Sequence, residues 1–243
     1  MADMKPAGGA WPSPMNRLLA ALPSEEWEVV RAGLEEVPLT FRQDLYQPDQ
    51  PVEYVYFPHS GVVSLVTEFE DGSSVEVGTV GPEGIVGLPI FLEDETMAGR
   101  AFVQVPGNAA RIRVDAYKRA IDACPQLHRL LSRYTLALVN MLAQNSACNR
   151  THGVEERLAR WLLMTQDRVH EPTFPLTQEF IAQMLGVSRP TVSTTASILQ
   201  KAGFVTYVRG MITVTDRPGL EAASCECYRV IRRQFDRLVG NDG

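Results

Sequence analysis

Apolar positions change their spacing twice along this chain. From Asn16 to Leu34 they recur at helical steps, which predicts two short helices, Asn16 to Leu22 and Ser24 to Leu34, separated by Pro23. Ser24-Glu25-Glu26 supplies a cap and first-turn acids for the second. From Val37 to Val114 the pattern turns to short strands: Val37–Phe41, Tyr54–Phe57, Val62–Phe69, Val75–Val80, Ile85–Phe91, Arg100–Val105 and Ala110–Val114. Turn residues separate them, at Gln47-Pro48-Asp49-Gln50-Pro51, Ser60-Gly61, Asp71-Gly72, Gly81-Pro82-Glu83-Gly84 and Pro106-Gly107-Asn108. Asp71-Gly72 between two β-rich runs marks a hairpin. Strands at this spacing predict a closed or rolled antiparallel sheet of about 80 residues.

Helical spacing returns at Asp115, the predicted cap of a short helix ending near Cys124-Pro125. A long helix follows, roughly Gln126 to Arg150, with Leu127, Leu130, Leu131, Tyr134, Leu138, Met141, Leu142 and Asn145 at three- and four-residue steps. A helix so long and apolar needs something to lie against. A second copy in a parallel coiled coil is the economical solution, with Leu131, Tyr134, Leu138, Met141, Leu142 and Asn145 at the interface. Packing on the chain's own sheet is the alternative, and one wide face can do both. Thr151-His152-Gly153 reads as a hinge, and Val154 to Val169 as a helix that turns Leu158, Trp161, Leu162 and Thr165 inward.

Leu176 to Val205 predicts two helices joined by a tight turn. Thr177 caps the first, whose apolar face is Ile181, Met184 and Leu185. Gly186 permits the turn, Ser188 caps the second helix, and Pro190 falls in its first turn. Val192, Ala196 and Leu199 face inward. Arg189, Ser193, Thr194, Ser197, Gln200 and Lys201 face out, the arrangement of a helix-turn-helix whose second helix, Arg189 to Ala202, enters a DNA major groove. Pro172 and Pro175 bound the loop before it. Phe204–Val208 and Met211–Val214 pair across Arg209-Gly210 as a wing, which an ordinary αα-hairpin does not explain. Asp216 caps a last helix with Leu220, Cys227, Tyr228, Ile231, Phe235 and Leu238 along its apolar stripe.

Composition bears on this picture at three points. The chain's 243 residues carry a net charge of −6, which argues against DNA until the chain is divided. Residues 1–150 hold 12 Lys+Arg against 19 Asp+Glu, a net of −7, whereas residues 151–243 hold 11 against 10, a net of +1. Arg189, Lys201 and Arg209 can then supply a local basic surface. No run approaches the ~18 apolar residues of a membrane span. Residues 1–14, rich in Gly, Pro and Ala, read as a disordered tail with no secretory pattern, so a cytoplasmic protein is expected. No nucleophile–base pair, phosphate loop or metal cluster points to an enzyme. Cys225 and Cys227, taken as i and i+2 on one helix, would point about 200° apart and share no metal; Cys227 reads as core and Cys225 as a free surface thiol. Cys148, near the end of the long helix, could approach its twin, and His59 reads as a surface residue rather than a haem ligand.

The order of these elements resembles the Crp/Fnr superfamily of bacterial transcription regulators, over about residues 15 to 240. The resemblance rests on Ile85-Val86-Gly87-Leu88-Pro89-Ile90-Phe91, the long helix, Val154-Glu155-Glu156-Arg157-Leu158-Ala159, and Leu185-Gly186-Val187-Ser188-Arg189-Pro190-Thr191-Val192. It implies an α+β fold: an antiparallel β-roll like a cyclic-nucleotide-binding module over 15–124, a dimerisation helix over 125–151 and a winged helix-turn-helix over 152–243. It implies as partners a second copy, double-stranded DNA with an inverted-repeat site, and RNA polymerase, with no membrane. The nucleotide pocket of the family is degenerate here. Gly87 stands, but Leu88 replaces the Glu that accepts from a ribose hydroxyl. Arg100 is displaced by one residue with no hydroxyl after it, and Leu142 and Ala143 replace small hydroxyl residues. The effector is therefore unknown and is expected not to be cAMP, with Arg100 open to another anion and no cofactor or metal implied. The family's base-contacting Arg matches Arg189, while Pro190 and Thr194 replace a Glu and an Arg. Base contact is thus expected from Arg189, Ser193, Thr194 and Ser197, and phosphate contact from Thr177, Ser188, Thr191 and Arg209. The competing reading is a ligand-sensing or protein-interaction module that no longer reads DNA.

Overall fold

Asn16 opens the described region of the computed structural model, which spans residues 16–240; the reading of residues 1–14 and the outer ends of the first and last predicted domains lie outside it. The Asn16 side chain accepts from the N–H groups of Leu18 and Leu19 to start α1 (Arg17–Ala20), and α2 (Ser24–Arg31) follows with Glu25 and Glu26 in its first turn. The chain then forms β1 (Leu34–Leu39), β2 (Asp44–Tyr46), β3 (Tyr54–Pro58), β4 (Val62–Glu68), β5 (Ser74–Val80), α3 (Leu88–Phe91), β6 (Arg100–Val105) and β7 (Gly107–Arg113). Two antiparallel sheets result, ordered β1-β7-β3 and β2-β6-β4-β5, and their facing apolar residues make the core of the roll. α4 (Val114–Ala123) leads into α5 (Pro125–Thr151) and then α6 (Val154–Val169). The C-terminal region comprises β8 (Thr173–Pro175), α7 (Gln178–Leu185), α8 (Arg189–Lys201), β9 (Val205–Val208), β10 (Met211–Val214), α9 (Arg217–Ala223) and α10 (Cys227–Val239). This is the expected α+β architecture, a β-roll, a long helix and a winged helix-turn-helix.

Several local expectations are corrected. Only Val86 of the Ile85–Phe91 run pairs as a strand, bridging to Tyr56. Gly87, at φ 108°, turns the chain, and Pro89 sits in the first turn of α3. β2 and β8, at three residues each, are too short to show a period. His59 is buried, not superficial: its Nδ1 accepts from the Asn16 N–H at 3.0 Å, and its Nε2 lies 3.0 Å from a Glu36 carboxylate oxygen. The last helix is two helices, broken at Ser224, whose backbone is extended at ψ 154°.

The long helix carries the largest correction. Leu131, Tyr134, Leu138, Met141 and Asn145, expected between two copies, are buried within a single chain. Tyr134 donates from its hydroxyl to the Ile85 carbonyl at 3.2 Å, and its ring lies where a Cβ on Gly84 would stand. Asn145 donates to the Val77 carbonyl at 2.9 Å. Leu142 is partly buried over Gly78. The buried side chains of α5 therefore lie on the chain's own roll and on α10. Ser132, Leu136, Val139, Ala143, Ser146 and Arg150, in alternating steps of four and three, form an exposed stripe on another face.

Candidate nucleic-acid interface

Local hydrogen bonding fixes the helix-turn-helix. The Thr177 hydroxyl accepts from the Phe180 N–H at 3.1 Å and starts α7; Gly186, at φ 63°, ends it in the left-handed conformation. The Ser188 hydroxyl accepts from the Thr191 N–H at 3.3 Å and starts α8. Val192, Thr195, Ala196 and Leu199 are buried on the inner face of α8. Arg189, Pro190, Ser193, Thr194, Ser197, Ile198, Gln200 and Lys201 are exposed along its outer face. The predicted base-reading residues thus form one surface. Ile198, 44% exposed, belongs to the same surface and was not anticipated, because an apolar residue one place from an inward Leu reads as core. Arg189 lies 3.9 Å from the Glu179 carboxylate with both side chains largely in solvent. Such a pair is worth little and leaves the guanidinium available.

The wing sits beside the start of α7. β10 pairs with β9 and also with β8. Arg209 and Gly210, at φ 49° and 78°, make the two-residue turn whose twist suits a hairpin. The Leu176 N–H donates to the Gly210 carbonyl at 2.8 Å, and the Tyr207 hydroxyl donates to the Leu176 carbonyl at 2.9 Å. Thr177 and the exposed Arg209 are thereby brought to one edge of the reading surface, while Ser188 and Thr191, with hydroxyl oxygens 2.8 Å apart, lie at the N-terminal end of α8. Thr177 and Ser188 serve as caps by accepting through their hydroxyl oxygens, which does not use their O–H donors.

The expected effector residues do not make an open anion pocket. Arg100, read as a solvated strand residue or one open to another anion, is held by two carboxylates, with Nε 2.6 Å from Asp44 Oδ1 and Nη1 3.1 Å from Glu68 Oε1. Its guanidinium also lies over the Phe102 ring, 5.0 Å from the centroid. Gly87 and Leu88 are absorbed in the turn into α3, and Met141 and Leu142 crowd Gly78. A cavity of about 480 Å³ lies elsewhere, between the 81–84 turn, α6 and α10, with Arg168, Arg217, Tyr228, Arg232 and Phe235 in its wall.

A polar seam joins the roll to α6 and α7. Trp161 Nε1 donates to Glu76 Oε1 at 2.6 Å, Gln183 donates to the Ser74 hydroxyl at 2.7 Å, and Phe180 meets Phe102 edge-on at 5.9 Å. Ser64 Oγ lies 2.7 Å from Glu76 Oε2 and 2.8 Å from Gln104 Oε1. One hydroxyl proton cannot serve both acceptors. A protonated Glu76 resolves this by donating to Ser64, which then donates to Gln104. Burial pushes the Glu76 carboxyl up to about 7, against the hydrogen bonds that Ser64 and Trp161 donate to its ionised form. A carboxyl raised on folding stabilises the fold fully below its unfolded value of about 4.3, and that contribution is lost as pH rises through the folded value. Stability is therefore expected to fall between about pH 4 and about pH 7, with a tryptophan fluorescence change centred near 7. Glu76→Gln is expected to flatten both curves; unchanged curves in that variant would assign the titration to another group.

Residues 39–124 match the cyclic nucleotide-binding domain family, and residues 156–223 match the Crp-like helix-turn-helix domain family. The transcriptional regulatory protein btr of Bordetella pertussis is 28% identical over 201 residues, covering 77% of this chain and 80% of the relative. The structure of FixK2 from Bradyrhizobium japonicum aligns with a TM-score of 0.67 at 20% identity, covering 79% of this chain and 98% of that one. The c-di-GMP responsive global regulator CLP of Xanthomonas campestris aligns with a TM-score of 0.64 at 17% identity, covering 79% and 99%. No helix among the described residues is long and apolar enough to cross a membrane.

Proposed function

Because this chain belongs to the Crp/Fnr superfamily of transcription regulators and carries its helix-turn-helix DNA-binding domain, we propose that it acts in the cytoplasm as a homodimer on an inverted-repeat DNA site. On this reading residues 15–124 sense, 125–151 pair the subunits and 152–243 read DNA. The observation that carries the proposal is the outer face of α8, where Arg189, Ser193, Thr194 and Ser197 are exposed together beside the wing. The two copies of α8 would enter successive major grooves about 34 Å apart. Thr177, Ser188, Thr191 and Arg209 would hold phosphates and set the register. The second copy would lie on the exposed α5 stripe centred on Leu136 and Val139, not on the buried face. Bound at a promoter, the dimer would act on RNA polymerase by contact or by obstruction.

Arg189→Ala is expected to cost about 1–3 kcal/mol on the specific site and to relax one base position, as for an Arg–guanine pair. Arg209→Ala is expected to weaken all sequences alike and to flatten the salt dependence. Salt-dependent gel shifts on selected and random duplexes separate the two. Equal losses on both duplexes for Arg189→Ala would remove its role in reading bases. For the effector, Leu88 and the occupied Arg100 favour a ligand other than cAMP. Calorimetry with cAMP, cGMP and cyclic dinucleotides, with and without DNA, tests this; DNA-coupled cAMP binding would overturn it.

A further inference from the structure

Four side chains with no role in DNA reading or in the roll meet at the hinge. Cys148 lies in the last turns of α5, and His152 caps that helix. Cys225 lies in the break between α9 and α10, and Cys227 is the first residue of α10. One ligand atom from each, three sulfurs and an imidazole nitrogen, lies within 4.8 Å of all the others. Cys148 Sγ is 3.5 Å from Cys225 Sγ, and Cys227 Sγ is 3.6 Å from His152 Nδ1. Two sequence expectations are corrected here. Cys225 is buried rather than superficial, and Cys148 meets Cys225 of its own chain rather than a twin. Cys225 and Cys227 would point about 200° apart only on one continuous helix; with α9 ended at the extended Ser224 and α10 begun at Cys227, Cys225 lies outside both helices and the two thiols converge.

The surroundings distinguish this group from buried thiols packed only for their bulk. His152 turns Nδ1 toward Cys227, and its Nε2 is 3.2 Å from the Glu226 carboxylate. A histidine that binds a metal through one nitrogen commonly donates the other N–H to a carboxylate, which fixes its tautomer. Gln144 Nε2 donates to Cys227 Sγ at 3.0 Å, and the Cys227 N–H donates to the Cys225 sulfur. Arg157 and Arg160 are buried, and each has an Nε without a hydrogen-bond partner among the described residues. Both act electrostatically on Cys148 and Cys225. Three thiolates and a neutral imidazole around a divalent ion carry a net charge of −1, which the positive field of these two arginines would stabilise.

A tetrahedral zinc ion, with Zn–S of about 2.3 Å and Zn–N of about 2.0–2.1 Å, holds its ligand atoms about 3.5–3.8 Å apart. The sulfur–nitrogen separation of 3.6 Å matches the lower end, which belongs to S···N pairs, and the sulfur–sulfur separation of 3.5 Å is about 0.3 Å short of the upper end, which belongs to S···S pairs. A multi-iron cluster inserts sulfides between its thiolates and needs a wider set. We infer that Cys148, His152, Cys225 and Cys227 form a closed structural site for one zinc ion, clamping the end of α5 to the start of α10 across the 151–153 hinge. With all four positions filled by protein, such an ion has no place for substrate and acts on folding and domain position.

The test uses the full chain, purified under reductant and free of added chelator. Elemental analysis is expected to give about one zinc per chain. Cys148→Ser and Cys225→Ser are each expected to reduce this at least about tenfold, while Cys124→Ser, whose thiol lies near Glu26, retains it. Cobalt exchanged into the unmodified protein is expected to show tetrahedral d–d bands with thiolate charge transfer, and this reading stands even if a serine variant fails to fold. A protein that takes up neither zinc nor cobalt overturns the inference. So does a Cys148–Cys225 disulfide in a parallel preparation made without reductant, an iron chromophore, or equal metal loss from Cys124→Ser.

Discussion

Glutamate at Leu136 and Val139 together is expected to yield a folded monomer that binds a paired site about 100-fold more weakly or worse. Both side chains are about half exposed, at 48% and 53%, so new charges there meet water in a single chain and disturb no core. Between two copies of α5 they would face each other in a dry seam, where like charges repel and lose hydration. The DNA penalty follows from linkage: once one half-site is filled, the joined second reading helix binds at a high effective concentration, and a monomer forgoes this. Sedimentation at several concentrations and gel shifts on full and half sites measure the two effects separately. Tyr134→Ala provides the contrast. Because Tyr134 is buried on its own roll, that change is expected to lower stability rather than to dissociate a dimer. A variant with both glutamates that still sediments as a dimer would move the interface off this stripe.

What the sequence disclosed divides along one physical line. The helix-turn-helix was legible because its determinants are local: a hydroxyl cap at Thr177, the positive φ of Gly186, a second cap at Ser188 and a proline where an N–H is expendable. The wing was legible for the same reason, at Arg209-Gly210. What failed was the identity of the surface that covers an apolar face. Periodicity showed that Leu131, Tyr134 and Leu138 share one side of α5, but that side packs on the roll and on α10. The small-residue stripe opposite, Ser132, Ala143 and Ser146 around Leu136 and Val139, is a weaker pattern and passed unseen. His59 was misplaced because its partners, Asn16 and Glu36, are distant in sequence. Nothing local marks Arg160 and Arg168 of α6 as buried, since the amide and the acid that receive them, Asn145 and Glu83, come from other elements. The metal-ligating group depended on a helix break that the apolar stripe from Leu220 to Leu238 concealed.

Glu83→Ala is expected to destabilise the chain by about 3–5 kcal/mol, the cost of leaving a buried cation unpaired. The Arg168 and Glu83 side chains are only 8% and 10% exposed. Arg168 directs Nε and Nη2 to the same Glu83 oxygen at 2.8 and 2.7 Å and donates from Nη1 to the Met164 carbonyl at 2.8 Å. The same Glu83 oxygen accepts from the Gly81 N–H at 3.3 Å. A Cβ on Gly81 would stand 2.6 Å from Arg168 Cγ, so the 81–84 turn has room for this arginine only as glycine. The carbonyls around Arg168 carry partial charge and cannot replace a carboxylate. Glu83→Leu combined with Arg168→Met is expected to recover most of the loss, because two apolar groups of similar volume leave no charge to desolvate. For a chain of this size the single variant should melt roughly 10 °C lower, and the double variant within a few degrees of the parent. The pair joins the roll's turn to the end of α6, the helix that carries the reading domain. A roll-side change at Glu83 is therefore expected to weaken DNA binding without touching the reading surface. If the double variant is stable and still binds DNA weakly, then charge pairing, beyond packing, sets how that domain is held.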